Sequence, residues 1–269
     1  MAELLEIDNV FAGYGGGDIL RGLTLNVEEG KLTCLVGPNG AGKSTVLKCV
    51  SGLLRPRKGE VRFKEKKIGG LSPRSILKLG IVQVPQDRSL FSTMTVRENV
   101  MLGGFMLPSH AEKERRLAAV TESFPIVGER SKDLAGSLSG GQQKLVEFAR
   151  AMMLDPAVML VDEPSMGLEP KVRRLVFDTL KAMRNEGRTI LLVEQNARSG
   201  LEIADHGVVL ERGRVRLEGS GASILADPSV GAIYMGTAGR PQSGVHVAPT
   251  SLDGQQGDST ESLKQEGKL

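Results

Sequence analysis

GPNGAGKS, Gly37 to Ser44, decides the fold of this 269-residue chain. It fits the pattern G-x-x-x-x-G-K-[ST], in which glycines let backbone N–H groups approach phosphates closely. The apolar run KLTCLVG (31–37) before it reads as a buried strand, and KSTVLKCVSG (43–52) after it as a helix closed by Gly52. Strand, glycine loop and helix in that order predict a phosphate cradle made by Gly37, Pro38, Asn39, Gly40, Ala41, Gly42, Lys43, Ser44 and Thr45. In this reading Lys43 reaches the β and γ phosphates of a nucleotide, and the Ser44 hydroxyl coordinates Mg²⁺.

Such a loop needs a second group to hold the metal and orient water. AVMLVDEP reads as a buried strand ending in two acids, which supplies it. Asp162 suits the Mg²⁺ shell, and Glu163, one residue on, faces the attacking water as general base or orienter.

LSGGQQ, Leu138 to Gln143, is a second anion-seeking segment, about a hundred residues after the first. It stands just ahead of QQKLVEFARAMML, where Leu145, Phe148, Ala149 and Met152 fall on one helical face. A helix start preceded by serine and paired glycines turns unpaired N–H donors and the positive end of the macrodipole outward.

Outward from these motifs, GEVRF, GIVQVP, TILLVEQ, GVVLE and GRVRLEG read as further strands. The segment Glu112–Phe124 reads as a helix with Leu117, Val120 and Phe124 inward, and the EKERR run as its solvated face. A helix after SMGLEP is predicted to put Val172, Leu175, Val176, Thr179 and Met183 on one side. Strands alternating with helices imply a mostly parallel sheet in an α/β fold. Beyond about Tyr234 the hydrophobic periodicity stops and Gly, Ser, Gln and Pro take over, so residues 236–269 are expected to be a disordered tail.

Bulk composition excludes little. A hydrophobic content of 40% and a charged content of 25% belong to the ordinary globular range, and a net charge of +3 gives no reason to invoke nucleic acid. Cys34 and Cys49 lack metal-ligand or C-x-x-C spacing and read as buried thiols. With no apolar run of membrane-spanning length and an acidic start, MAELLEIDN, the expected location is cytoplasmic.

With P-loop, LSGGQQ and VMLVDE in this order, residues 3–235 resemble the ATP-binding subunits of ABC transporters. The resemblance implies a P-loop NTPase core with a mostly parallel sheet and an N-terminal antiparallel β subdomain, together spanning about 1–86 and 155–235, and an inserted helical subdomain (about 87–154). It also gives LSGGQQ a ligand: Ser139, Gly140, Gly141 and Gln142 of one subunit cap the γ phosphate of ATP held by another's P-loop, in a head-to-tail dimer. Tyr14 has the spacing of the aromatic that stacks on adenine. Gln86, in VPQD, matches the glutamine that touches Mg²⁺ or water, and SMGLEP the loop that crosses the dimer interface, with Glu169 where the family more often has Asp.

One position departs from the family. After the strand LLVE this chain has Gln195 where many members place a histidine against the γ phosphate, and an amide donates a hydrogen bond without an imidazolium's charge. His110, His206 and His246 match no motif. VEQNA and LADPSVGAIYMG are similar to the ATPase subunits of branched-chain amino-acid importers, with urea and amide importers as alternatives. The implied partners are two membrane permeases, a second ATPase subunit and, indirectly, a solute-binding protein, which places the chain on the inner face of the cell membrane. ABC-type ATPases that act on DNA or ribosomes carry a long coiled-coil insertion or tandem cassettes, and the roughly ninety residues between P-loop and LSGGQQ do not hold such an arm. A P-loop kinase or switch GTPase has no use for LSGGQQ.

Overall fold

A computed structural model describes residues 3–230. The stretch beyond Tyr234 and the end of LADPSVGAIYMG lie outside the described residues. The chain opens with β1 (Glu3–Ala12), β2 (Leu20–Glu28) and β3 (Leu32–Val36), then α1 (Lys43–Val50), β4 (Lys58–Phe63), β5 (Lys66–Lys67), α2 (Pro73–Lys78) and β6 (Ile81–Val84). Four helices follow, α3 (Val96–Gly103), α4 (His110–Ser123), α5 (Ile126–Glu129) and α6 (Gly140–Met152). The chain then returns to β7 (Val158–Asp162), α7 (Pro170–Asn185), β8 (Ile190–Glu194), α8 (Ala197–Leu201), β9 (His206–Glu211), β10 (Arg214–Gly219) and α9 (Gly221–Leu225).

These strands make two sheets. One is four-stranded and antiparallel, in the order β2-β1-β4-β5; the other runs β10-β9-β3-β8-β7-β6 and is parallel except for β10. Every side chain of β3, β7 and β8 is buried, as expected of central parallel strands covered on both faces. Because side chains alternate across a strand, each serves two cores. Cys34 and Val36, Met159 and Val161, and Ile190 and Leu192 point into a core shared with helices α3–α7. Leu35, Leu160, Leu191 and Val193 point the other way, into the core that α1 and the antiparallel sheet close.

The sequence pattern placed the buried face of α7 slightly off. Val176, Phe177, Leu180 and Met183 are buried, whereas Leu175 is 45% exposed and Thr179 only half-buried. An α-helix docked on a sheet buries one stripe, and the ring of Phe177, absent from the expected set, turns that stripe away from Leu175. Leu145 is likewise only half-buried, with Val146 taking the inner position. Among the described residues no helix is long and apolar enough to cross a membrane.

Candidate nucleotide site

The P-loop joins β3 to α1 at the carboxyl edge of the parallel sheet, where open α/β sheets place their ligands. Gly42, the residue capping α1, adopts φ +108°, a conformation that disfavours any residue with a Cβ. No side chain caps this helix, so the N–H groups of its first turn stay available to an anion. Lys43 folds back over the loop: its Nζ donates to the carbonyls of Gly37 (3.0 Å) and Pro38 (3.4 Å) and pairs with Glu163 Oε1 at 3.2 Å. Both partners are nearly sealed, with side chains 4% and 9% exposed.

Glu163 sits one residue beyond β7 with φ +39°, a left-handed conformation that costs a non-glycine residue roughly 1–2 kcal/mol. Its N–H donates to Val193 O at 2.9 Å, which ties the strained turn to β8 and aims the carboxylate into the cleft. Asp162, the last residue of β7, accepts a hydrogen bond from Ser44 Oγ at 3.2 Å. Burial raises the Asp162 carboxyl above the usual carboxylate range and the Glu163 charge raises it further, against the Ser44 hydrogen bond and the Lys43 ammonium. A hydroxyl and a carboxylate turned toward each other form the hard-oxygen donor pair that suits Mg²⁺.

A cleft of about 370 Å³ gathers half of the residues singled out from sequence. It is lined by Asn39, Gly40, Gly42, Lys43, Ser44 and Thr45 of the loop and helix start together with Gln86, Glu163 and Gln195. Gln86 points its amide at Met166 Sδ. Ala41 faces away: it is 3% exposed and packs in the core beneath the loop. Tyr14 does not line the cleft; it is 50% exposed on the β1–β2 connection with Lys48 Nζ 5.2 Å from its ring centre.

Ser139, Gly140, Gly141 and Gln142 lie apart, at the amino end of α6. Ser139 Oγ accepts from the Gln142 N–H at 3.4 Å and the Gln142 amide oxygen accepts from the Ser139 N–H at 3.0 Å, a reciprocal cap. Gly141 has a packing reason of its own, since a Cβ there would overlap Val172 Cγ1 of α7. The exposed Ser139 end therefore serves no group of its own chain's cleft.

Three contributors were not read from sequence: Ile19 and Met166, which line the cleft, and Glu194. Glu194 is 1% exposed, accepts from the N–H of Ser165 (3.2 Å) and Asn196 (3.4 Å), and is raised above its ordinary range, mainly by burial. A carboxylate at the end of an otherwise apolar strand, LLVE, was the available signal.

Comparison with known proteins agrees with this architecture. The family model described as ABC transporter matches residues 20–166. The high-affinity branched-chain amino acid transport ATP-binding protein BraG of Pseudomonas aeruginosa is 37% identical, over 87% of this chain and 100% of that protein. The lipopolysaccharide export system ATP-binding protein LptB of Acidithiobacillus ferridurans is 33% identical, over 88% and 98%. The solved ADP conformation of an ATP-binding cassette of an ABC transporter superposes with a TM-score of 0.79 at 31% identity, covering 88% of this chain and 100% of that one. A P-loop, a carboxylate pair at the end of β7 and a detached LSGGQQ turn, on a chain that matches such proteins over nearly their whole length, make this protein a member of the ABC transporter family, one of its ATP-binding ATPase subunits.

Proposed function

We propose that this subunit powers an importer of branched-chain amino acids, hydrolysing ATP at an interface between two cassettes. The observation that carries the shared-nucleotide part is the separation of the two anion-binding segments: the P-loop cleft contains no LSGGQQ residue, and the Ser139 end of α6 faces outward. Each half satisfies one side of a triphosphate, and a head-to-tail pair satisfies both.

The chemistry then divides among this chain's residues. Tyr14 stacks on adenine, and residues Gly37–Thr45 wrap the phosphates with backbone donors. Lys43 transfers its ammonium from Glu163 to the β and γ phosphates, which frees the Glu163 carboxylate to orient the attacking water. Ser44 and Asp162, together with Gln86, would hold Mg²⁺, whose charge offsets that of the phosphate oxygens. Gln195 donates its amide N–H to the γ phosphate in place of the commoner histidine. Ser139, Gly140, Gly141 and Gln142 of the partner close the other side, and hydrolysis removes the anion that held the pair together.

The importer assignment draws on BraG and on the VEQNA segment. Permease subunits fit the groove of about 240 Å³ beside edge strand β6, where Leu77, Val84, Leu102, Phe105 and Leu154 supply an apolar lining and Ser89, Glu147 and Arg150 a polar one. In this reading the working subunit sits on the inner membrane face, with a solute-binding protein across the bilayer.

Two experiments test the reading. Ser139→Arg should abolish turnover by the dimer and leave ATP binding by the isolated chain intact; loss of that binding would refute action across the interface. The assembled transporter should raise its ATPase rate with leucine, isoleucine or valine and their binding protein, whereas stimulation by urea or a short amide alone would move the assignment to those systems.

A further inference from the structure

Helix α6 carries a ladder of charged side chains that the nucleotide motifs do not use. Lys144, Glu147 and Arg150 recur every three residues and so share one helical face. That face is turned inward, with Lys144 6% and Glu147 2% exposed. Glu147 Oε1 accepts from the Ser89 N–H at 2.6 Å and from its hydroxyl at 2.9 Å. Lys144 Nζ stands 2.5 Å from the other oxygen of Glu147 and 3.4 Å from the Pro85 carbonyl. Arg150 donates to Ser89 O at 2.8 Å and also reaches the Ser89 hydroxyl. Two side chains of α6 thus hold all three polar groups of Ser89, and a third holds Pro85.

Stability does not account for such an arrangement. Buried ion pairs lose much of their Coulomb gain to desolvation, and apolar residues of similar size commonly serve as well. What the ladder provides is position. Pro85 and Ser89 are two pinned feet, and between them in the chain stands Gln86, which lines the cleft. The same helix begins at Ser139, eight residues before Glu147, about 12 Å along the axis.

We propose that Glu147 is a positioning residue: it fixes Gln86 in the cleft relative to the amino end of α6, so that a neighbour's nucleotide docking on Ser139 is felt at Gln86 of the same chain. The proposal rests on the shared-nucleotide reading above. A rigid α6 moves as one body, and the loop follows it because Ser89 has no free polar group with which to stay behind.

The test uses the full chain with Mg-ATP. Glu147→Ala should lower kcat about tenfold or more while KM for ATP stays within about twofold, as expected when geometry is lost and ground-state binding is kept. Glu147→Gln, whose amide oxygen still accepts from Ser89, should fall between, and adding Ser89→Ala to Glu147→Ala should cost nothing further. Hydrogen exchange supplies a readout independent of turnover. On ATP addition to the Glu163→Gln protein, segments 84–91 and 138–147 should gain protection together; with Glu147→Ala added, only 138–147 should gain it. The proposal is overturned if Glu147→Ala turns over within twofold of wild type, if the Ser89 and Glu147 losses multiply, or if 84–91 is still protected in the variant. Absence of ATP-dependent protection at 138–147 in the Glu163→Gln parent itself marks failure of the shared-nucleotide reading, and this proposal falls with it.

Discussion

Glu163→Gln tests the partner exchange of Lys43 before any catalysis is measured. Without nucleotide, the Lys43 ammonium has three acceptors, Glu163 at 3.2 Å and two loop carbonyls, inside a site where both charged side chains are under 10% exposed. Breaking a buried pair by removing one charge costs about 3–5 kcal/mol, and a glutamine oxygen returns about 1.5–3 kcal/mol as an acceptor for a charged donor, which leaves a loss of about 2 kcal/mol. For a chain of this size that lowers Tm of the free protein by about 4–8 °C. ATP brings negative charge back to Lys43, so the loaded variant should regain wild-type Tm, and by linkage its ATP affinity should rise up to about thirtyfold. Thermal unfolding by circular dichroism and calorimetric titration with ATP, both in EDTA and at concentrations that keep the chain monomeric, measure the two halves of this cycle. If the free variant melts with wild type and binds ATP no more tightly, the Lys43–Glu163 pair carries no weight and the exchange argument fails.

Gly141→Ala should destabilise the chain by about 1–3 kcal/mol in urea unfolding, because the new methyl overlaps Val172 Cγ1. Adding Val172→Ala should restore most of that loss. For Glu194 the folded-state pKa is raised, so its contribution favours folding at low pH and is lost as pH rises past the ordinary carboxylate range. Glu194→Gln, a mimic of the protonated acid, should therefore be more stable than wild type at neutral pH, with the advantage vanishing on acidification; a pH-independent difference would contradict the burial argument. Cys34 and Cys49 are both buried, and burial pushes the Cys49 thiol up to about 12. Neither thiol should react with a disulfide reagent at pH 8 until the protein is unfolded.

Much of the site was legible because its parts are local. Strand, glycine loop and helix around Lys43 follow one another in sequence, as do the apolar run and the two acids at Asp162 and Glu163, and each pattern has a physical meaning without its neighbours. Buried charge was not legible in this way. Lys144, Glu147 and Arg150 read as the polar side of an amphipathic helix, and nothing local distinguishes polar residues that meet water from polar residues that meet a loop. The buried stripe of α7 was missed for a related reason: helical periodicity admits both Leu175 and Phe177, and only the shape of the sheet beneath chooses between them.

The sequence by itself determined the local parts: a glycine loop between strand and helix, a carboxylate pair at a strand end, a serine-glycine helix start and an alternation of strands and helices that forces a covered parallel sheet. Tertiary structure decided which of these meet. Lys43 and Glu163 are 120 residues apart and touch because β3 and β7 both flank β8, so that their carboxyl ends open on one edge. Sheet order and register depend on which faces bury each other across the whole molecule, a non-local sum of small packing terms that no short window of residues contains. The same packing holds Ser139 at the far end of α6, away from its own chain's cleft.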